Sequence, residues 1–305
     1  MILMDKVLEI IEKENIGKIE KDVSLKKYTT YKVGGIAKAI VYPRNVNCLI
    51  SLLKLCKENR ISYKILGNGS NLLFSSRSYD GILIKLDEFD QIKFSGPNKI
   101  IVGAGYSLIK LCLVACKKSL AGLEFAAGIP GCVGGAVYMN AGAYKSDMGY
   151  IVQNVKVLTP DLKVINLTNK EMNFHYRSSF LQSHPGYICL EVTLKLHKGK
   201  KEAIEEVIRE RKQRRISSQP LEYPSAGSVF RNPEGMFAGQ MIEELGLKGM
   251  KKGGAMVSEK HANFIINYDH ATGEDIKELI EYVQSQVKEK YDVEMKVEQE
   301  FVNWE

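Results

Sequence analysis

The sequence predicts a mixed α+β protein in about three parts. Three observations carry that expectation. A strand–helix–strand pattern lies near the start, strand-like runs dominate the middle, and a charged helix near residue 200 marks a shift in composition.

Apolar residues at helical spacing predict a helix over residues 7–14. Residues 29–33 run into Gly34-Gly35, and a strand over 37–41 ends at Pro43. Residues 46–59 have a helical period, and 62–66 form a short strand that meets Gly67. Strand, helix and strand in that order need a parallel crossover. Further strands are expected over 81–86, 91–94 and 99–102, then a helix over 108–118 and a long glycine-rich loop over 122–144. Strands return at 152–158, 163–166 and 187–196. The charged helix covers 200–215; helices at 236–245 and 273–291, a strand at 262–267 and a closing strand at 293–301 complete the chain.

Bulk properties exclude several classes. The 305 residues are 45% hydrophobic and 26% charged, the balance of a folded globular chain. A net charge of +7 suits an acidic small substrate and is too modest to demand a nucleic acid. The basic run 209–215 is offset by Glu202, Glu205, Glu206 and Glu210, so it reads as a solvated, salt-bridged face. Charges interrupt every apolar run before residue 15, and glycine, proline and Glu124 break the apolar stretch 120–143. Neither secretion nor membrane spanning is expected. The 6 cysteines are scattered and read as buried, inert thiols of a reducing cytosol. Cys112 and Cys116 share a helix face without a third ligand, and the histidines fit no metal spacing.

Three glycine-rich segments stand out. Gly67-Asn68-Gly69-Ser70-Asn71-Leu72-Leu73 follows a strand directly; successive N–H groups on such a turn can cradle a diphosphate, or the segment is a tight surface turn. Gly103-Ala104-Gly105 lacks the third glycine of a dinucleotide fingerprint and reads as a strand-to-helix turn. Gly128-Ile129-Pro130-Gly131-Cys132-Val133-Gly134-Gly135-Ala136, running on to Asn140, has too little side-chain volume to fill a core and could lie against a flat ligand.

Two reactive patterns follow. Tyr176-Arg177-Ser178-Ser179-Phe180 sets a fixed cation between aromatic rings, with planar donors suited to a carboxylate or enolate. Ala226-Gly227-Ser228-Val229-Phe230-Arg231-Asn232-Pro233 places a serine hydroxyl on a small-residue turn, where it could deliver a proton. Each also has a structural reading, as an ion-paired arginine and a structural serine. Glu294, Glu298 and Glu300 share parity and would share one face of a regular closing strand.

Taken in order with Tyr28-Thr29-Thr30-Tyr31-Lys32-Val33-Gly34-Gly35, Gly122-Leu123-Glu124-Phe125 and Lys260-His261-Ala262-Asn263-Phe264, these segments resemble the UDP-N-acetylenolpyruvoylglucosamine reductases over nearly the whole chain. The short gap between the arginine and serine motifs resembles the compact version of that family. The resemblance implies an FAD-binding region of the vanillyl-alcohol-oxidase (PCMH) type in two parts, 1–80 and 81–200, the first completed by the C-terminal strand. A smaller substrate-binding domain over 201–305 follows. It implies non-covalent FAD held by Tyr31, Gly67, Asn68, Gly69, Ser70, Asn71, Leu72, Gly128, Ile129, Pro130, Gly131, Gly134, Gly135, Ala136 and Asn140.

The implied reaction passes hydride from NADPH to the flavin, then to C3 of UDP-N-acetylglucosamine enolpyruvate, giving UDP-N-acetylmuramate for peptidoglycan. Arg177 and Glu298 would stabilise the enolate and Ser228 would protonate C2. Tyr176, Arg231, Asn232 and Lys260 are the expected substrate contacts. The family's end usually reads Glu-Val, then basic and apolar residues and a glycine. Here Gln299 follows Glu298, and Glu300 is the alternative carboxylate. Alternatives on the same sequence are an FAD oxidase of this fold with another substrate, or a flavin-free UDP-sugar binder. A cytoplasmic location is expected, with no metal, nucleic acid, membrane or obligate protein partner.

Overall fold

A computed structural model describes residues 2–304. The chain divides into two compact units. The first takes Ala39–Gly67, Asp80–Gln213 and the described part of Met1–Lys21. The second takes Asp22–Lys38, Asn68–Tyr79 and the described part of Arg214–Glu305. Each has its own apolar core, and the two sets of buried residues follow the same division. Residues 1–80 are thus shared between units, and the boundary placed at the charged helix falls inside it, after Gln213.

A four-stranded sheet runs in the order Gly17–Ser24, Ile36–Pro43, Tyr79–Ile84, Tyr63–Ile65. The last pair is parallel, and the helix Val46–Glu58 connects Ile36–Pro43 to Tyr63–Ile65, two strands that Tyr79–Ile84 separates in the sheet. Asn45 caps that helix by accepting from the Cys48 N–H at 3.0 Å. A second, antiparallel sheet has the order Val164–Thr168, Val152–Leu158, Ile188–Lys195, Lys99–Gly103, Ile92–Phe94. Its register aligns Leu167, Val155, Val192, Val102 and Ile92 in one row. The first four are buried, each burial contributing about 1.5–3 kcal/mol.

The glycine-rich stretch 122–144 is not one long loop. It holds a 3-10 turn, Glu124–Gly128, and a helix, Val133–Tyr138. Two glycines argue against a helix by propensity, yet tertiary packing needs one of them. A Cβ on Gly134 would stand 2.9 Å from the Ala104 Cβ, and the Gly134 N–H donates to the Ala104 carbonyl at 2.8 Å. The charged helix Lys201–Ser218 buries only Ile204 and carries the pairs Lys201–Glu205 and Arg209–Glu206, a solvated face as read.

In the second unit an antiparallel sheet joins Lys251–Lys252, Ala255–Val257 and Ile265–Asn267. The helix Gly273–Tyr291 packs on it through Ile276, Leu279, Ile280, Val283 and Val287. Thr272 and Asp275 form its capping box. The expected closing strand is shorter than its apolar pattern suggests. Only Glu300–Val302 is strand, and it pairs parallel with Leu72–Phe74. Glu294 and Glu298 lie outside it, so the three glutamates do not share one strand face. Among the described residues no helix is long and apolar enough to cross a membrane.

Candidate active site

In the first unit, Arg177 sits on a tight turn closed by reciprocal bonds between His175 and Ser178, both 3.0 Å. Its φ of +53° is left-handed, which costs a non-glycine residue on the order of 1 kcal/mol. The surroundings enforce it. Arg177 Nη2 donates to the Gly142 carbonyl at 2.9 Å, and its guanidinium lies 5.1 Å from the Tyr176 ring centroid. Ser179 and Gln182 both donate to the Tyr138 carbonyl, at 2.7 and 2.9 Å. Buried Asn140 donates to the His175 carbonyl at 2.8 Å and accepts from the Gly149 N–H at 2.9 Å. The arginine turn is therefore stitched to the helix Val133–Tyr138 and its exit, the segment read as lying against a flat ligand.

Gly67, where the first unit's part of the diphosphate segment ends, is held from below. Buried Lys85 donates to its carbonyl at 3.1 Å and pairs with Asp87 at 3.2 Å. A Cβ on Gly67 would meet the Cys132 sulfur at 2.9 Å. Lys85 escaped the sequence reading because it sits in an apolar strand run; only a buried charge beside a glycine turn marks it.

The second unit carries the rest of that segment. Gly69 has φ +61°, and a Cβ there would stand 2.0 Å from the Tyr28 carbonyl oxygen, so no other residue fits. Its carbonyl accepts from the Thr30 N–H at 3.2 Å. The N–H groups of Gly69 and Ser70 donate to no acceptor among the described residues, as an anion cradle requires. Tyr31 differs from expectation. Its side chain is fully enclosed and its hydroxyl donates to Gln299 at 3.0 Å, so the ring is committed to the core rather than presented to a cofactor.

Ser228 follows Gly227, whose φ is +78°. The turn is fixed by Asn263 of the Lys260-His261-Ala262-Asn263-Phe264 motif. Asn263 O accepts from the Val229 N–H at 2.9 Å, its Oδ1 from the Phe230 N–H at 2.9 Å, and its Nδ2 donates to the Phe230 carbonyl at 2.8 Å. The half-buried Ser228 hydroxyl makes no hydrogen bond to a described residue. Glu298 joins the same turn: its N–H donates to the Val229 carbonyl at 2.7 Å. Glu300 is placed differently, with its N–H on the Asn71 carbonyl at 2.9 Å.

Arg231 is half-buried, and its Nε is enclosed without a hydrogen-bond partner among the described residues. Asn232 accepts from the Ala238 N–H at 3.1 Å, at the start of the helix Ala238–Glu244. Lys260 is engaged elsewhere in the unit, donating to the Ile216 carbonyl at 2.7 Å and pairing with Glu222 at 3.7 Å. Burial lowers the pKa of His261, which is neutral at pH 7 and accepts from the Asn263 N–H at 3.2 Å. Burial pushes the Cys56 and Cys112 thiols up to about 12. Among the described residues no group of three His, Cys, Asp or Glu could hold a metal ion.

Comparison with known proteins adds two family matches. Residues 219–302 match the C-terminal domain of UDP-N-acetylenolpyruvoylglucosamine reductase, and residues 37–168 match an FAD binding domain. The reductase of Anoxybacillus flavithermus is 43% identical over 98% of this chain and 99% of its own. That of Clostridium botulinum is 46% identical over 91% of this chain and 90% of its own. The crystal structure of UDP-N-acetylenolpyruvylglucosamine reductase from Thermus caldophilus superposes with a TM-score of 0.81 at 36% identity, covering 93% of this chain and 99% of that one.

Proposed function

This chain belongs to the UDP-N-acetylenolpyruvoylglucosamine reductase family, and from that membership we propose how its residues divide the reaction. It is an FAD-dependent oxidoreductase of peptidoglycan-precursor synthesis acting on a UDP-sugar. The residues present fit the cofactor: the Gly69 and Ser70 N–H groups lack protein acceptors, and glycine is obligatory at 69. When bound, FAD relays hydride from NADPH to the enolpyruvyl double bond.

Residues 67–72 hold the diphosphate in this reading, and 128–136 with Asn140 line the rest of the cofactor. Arg177 presents planar donors to the substrate where negative charge develops. Its strained turn is rigid because four hydrogen bonds from Arg177, Ser179, Gln182 and Asn140 over-determine it. Ser228 delivers its hydroxyl proton to C2, and Glu298 stabilises the enolate. Tyr176 and Arg231 contact the sugar nucleotide, with Asn232 and Lys260 as outer members. The observation that carries this assignment is the 2.7 Å bond from Glu298 to Val229, which sets that glutamate beside the serine turn. The Glu300 N–H bonds the Asn71 carbonyl of the diphosphate segment at 2.9 Å.

Within this proposal residues 1–80 and 81–200 form the flavin-binding parts and 201–305 the substrate part, in line with the matched domains. The free, mostly buried cysteines fit a reducing cytoplasm.

An anaerobic visible spectrum of the purified, FAD-loaded protein tests the reading. A flavin band that bleaches with NADPH and returns with UDP-N-acetylglucosamine enolpyruvate is the expected result. Return only with air would indicate an oxidase, and no flavin band after added FAD would indicate a sugar-nucleotide binder.

A further inference from the structure

Gln299 stands where the family resemblance leads one to expect valine. It is buried, at 5% exposure, yet both ends of its amide are bonded. Its Oε1 accepts from the Tyr31 hydroxyl at 3.0 Å, and its Nε2 donates to the Ala226 carbonyl at 3.4 Å. Its two partners, Tyr31 and Ala226, belong to one apolar core with Val33, Leu73, Val229 and Met295. An amide in such a place costs about 1–3 kcal/mol for each polar group left unbonded, so the matched partners are what make it tolerable.

The bridge has a direction. Tyr31 is itself held, its carbonyl accepting from Asn267 Nδ2 at 2.9 Å. Burial raises the Tyr31 pKa far above its ordinary value, so its hydroxyl stays a donor at every physiological pH. Its neighbour Thr30 bonds Gly69 of the diphosphate segment at 3.2 Å. At the far end, Ala226 opens the turn that continues through Gly227 to Ser228. Glu298 is joined to Val229, on the other side of Ser228, at 2.7 Å. The serine is thus bracketed: one bond from Gln299 two residues before it, and one from Glu298 one residue after it. The bonds from Asn263 and from Glu298 all fall after Ser228, on Val229 and Phe230, whereas the Gln299 bond holds the chain before it, at Ala226.

We propose that Gln299 is a positioning residue that locks the Ala226–Ser228 turn to the Glu298 segment, holding the serine hydroxyl and the glutamate carboxyl in one register for reduction of the enolpyruvyl group. This rests on the roles proposed above for Ser228 and Glu298. Both bridge side chains are enclosed, and the bridge acts on the second half of the reaction alone.

The test uses FAD-loaded protein and stopped-flow absorbance on each half-reaction. Gln299→Met keeps the volume and removes both bonds. It is expected to slow reoxidation by saturating UDP-N-acetylglucosamine enolpyruvate by about tenfold, a misplacement effect. Half-saturation and the rate of flavin reduction by NADPH should not change. The double variant Tyr31→Phe/Gln299→Val removes both polar side chains and leaves only the Ala226 carbonyl without its donor, so its thermal midpoint should lie nearer to wild type than that of Gln299→Met, which also strands the Tyr31 hydroxyl, while reoxidation stays slow. A double variant that folds, loads FAD and reoxidises at the wild-type rate overturns the proposal, because the bridge would then serve the core only. Ser228→Ala and Glu298→Gln run alongside. If they slow reoxidation while the Gln299 variants do not, the bridge proposal alone fails; if they leave it unchanged, the underlying assignment fails.

Discussion

The side-chain amide of Asn71 donates to the carbonyl of Glu298 at 3.1 Å, and the carbonyl of Asn71 takes the Glu300 N–H at 2.9 Å. One residue of the diphosphate segment therefore holds the peptide groups on both sides of Gln299. Asn71→Ala should lower stability by about 1 kcal/mol, the worth of one such bond, read as a lower thermal midpoint of the flavin-free protein. Asn71→Asp should also weaken FAD binding, measured by flavin fluorescence, because it sets a carboxylate against a carbonyl and a diphosphate. Equal FAD affinity in Asp and wild type would separate Asn71 from the cofactor.

Ser228→Ala should leave flavin reduction by NADPH intact and slow reoxidation by the sugar nucleotide by roughly 10²–10⁴, the usual weight of a positioned proton donor. Rapid-mixing kinetics on each half checks this. Equal slowing of both halves would make the serine structural.

Glu298→Gln should harm substrate reduction more than Glu300→Gln. The first residue is bonded at 2.7 Å to the turn that bears Ser228, the second to the diphosphate segment. The reverse order in steady-state rates would move the carboxylate role to Glu300.

Gly227→Ala tests the turn by conformation alone. A Cβ there meets nothing within 4 Å, but φ is +78°. The penalty, about 1 kcal/mol, is one of backbone strain. The variant should fold, load FAD and reoxidise slowly, because relief of strain rotates Ser228. Full activity would show that the turn tolerates a β-carbon.

Stability should fall in acid partly through Glu274. Burial alone would raise its carboxyl, but the hydroxyl and N–H of Ser76 outweigh burial and hold it below its ordinary 4.5. The folded state thus binds its proton less readily than the unfolded chain. That contribution is complete above the unfolded value and is lost as pH falls through the folded one. Denaturant titrations of Glu274→Gln should show a shallower acid limb than wild type; an identical limb would remove Glu274 from the account.

Local chemistry was legible without coordinates wherever one segment decides its own shape. The helix Gly273–Tyr291 was bounded correctly because Thr272, Asp275 and a 3.6-residue apolar period all act within the segment. Gly69 and Gly227 were read as turn residues, and both have positive φ. Motif order was enough to name the family. Tertiary structure alone decided the helix Val133–Tyr138, since its glycines are chosen by the close approach of Ala104 and not by helix propensity. It alone shortened the closing strand to Glu300–Val302, because a strand exists only where a partner, here Leu72–Phe74, offers hydrogen bonds. It also enclosed the Tyr31 ring, set Lys85 against the Gly67 carbonyl and Gln299 between Tyr31 and Ala226, and put the Glu298 N–H on the Val229 carbonyl. Those choices rest on contacts between residues of different segments, from Lys85 and Gly67, 18 positions apart, to Tyr31 and Gln299, 268 apart, which no local pattern encodes.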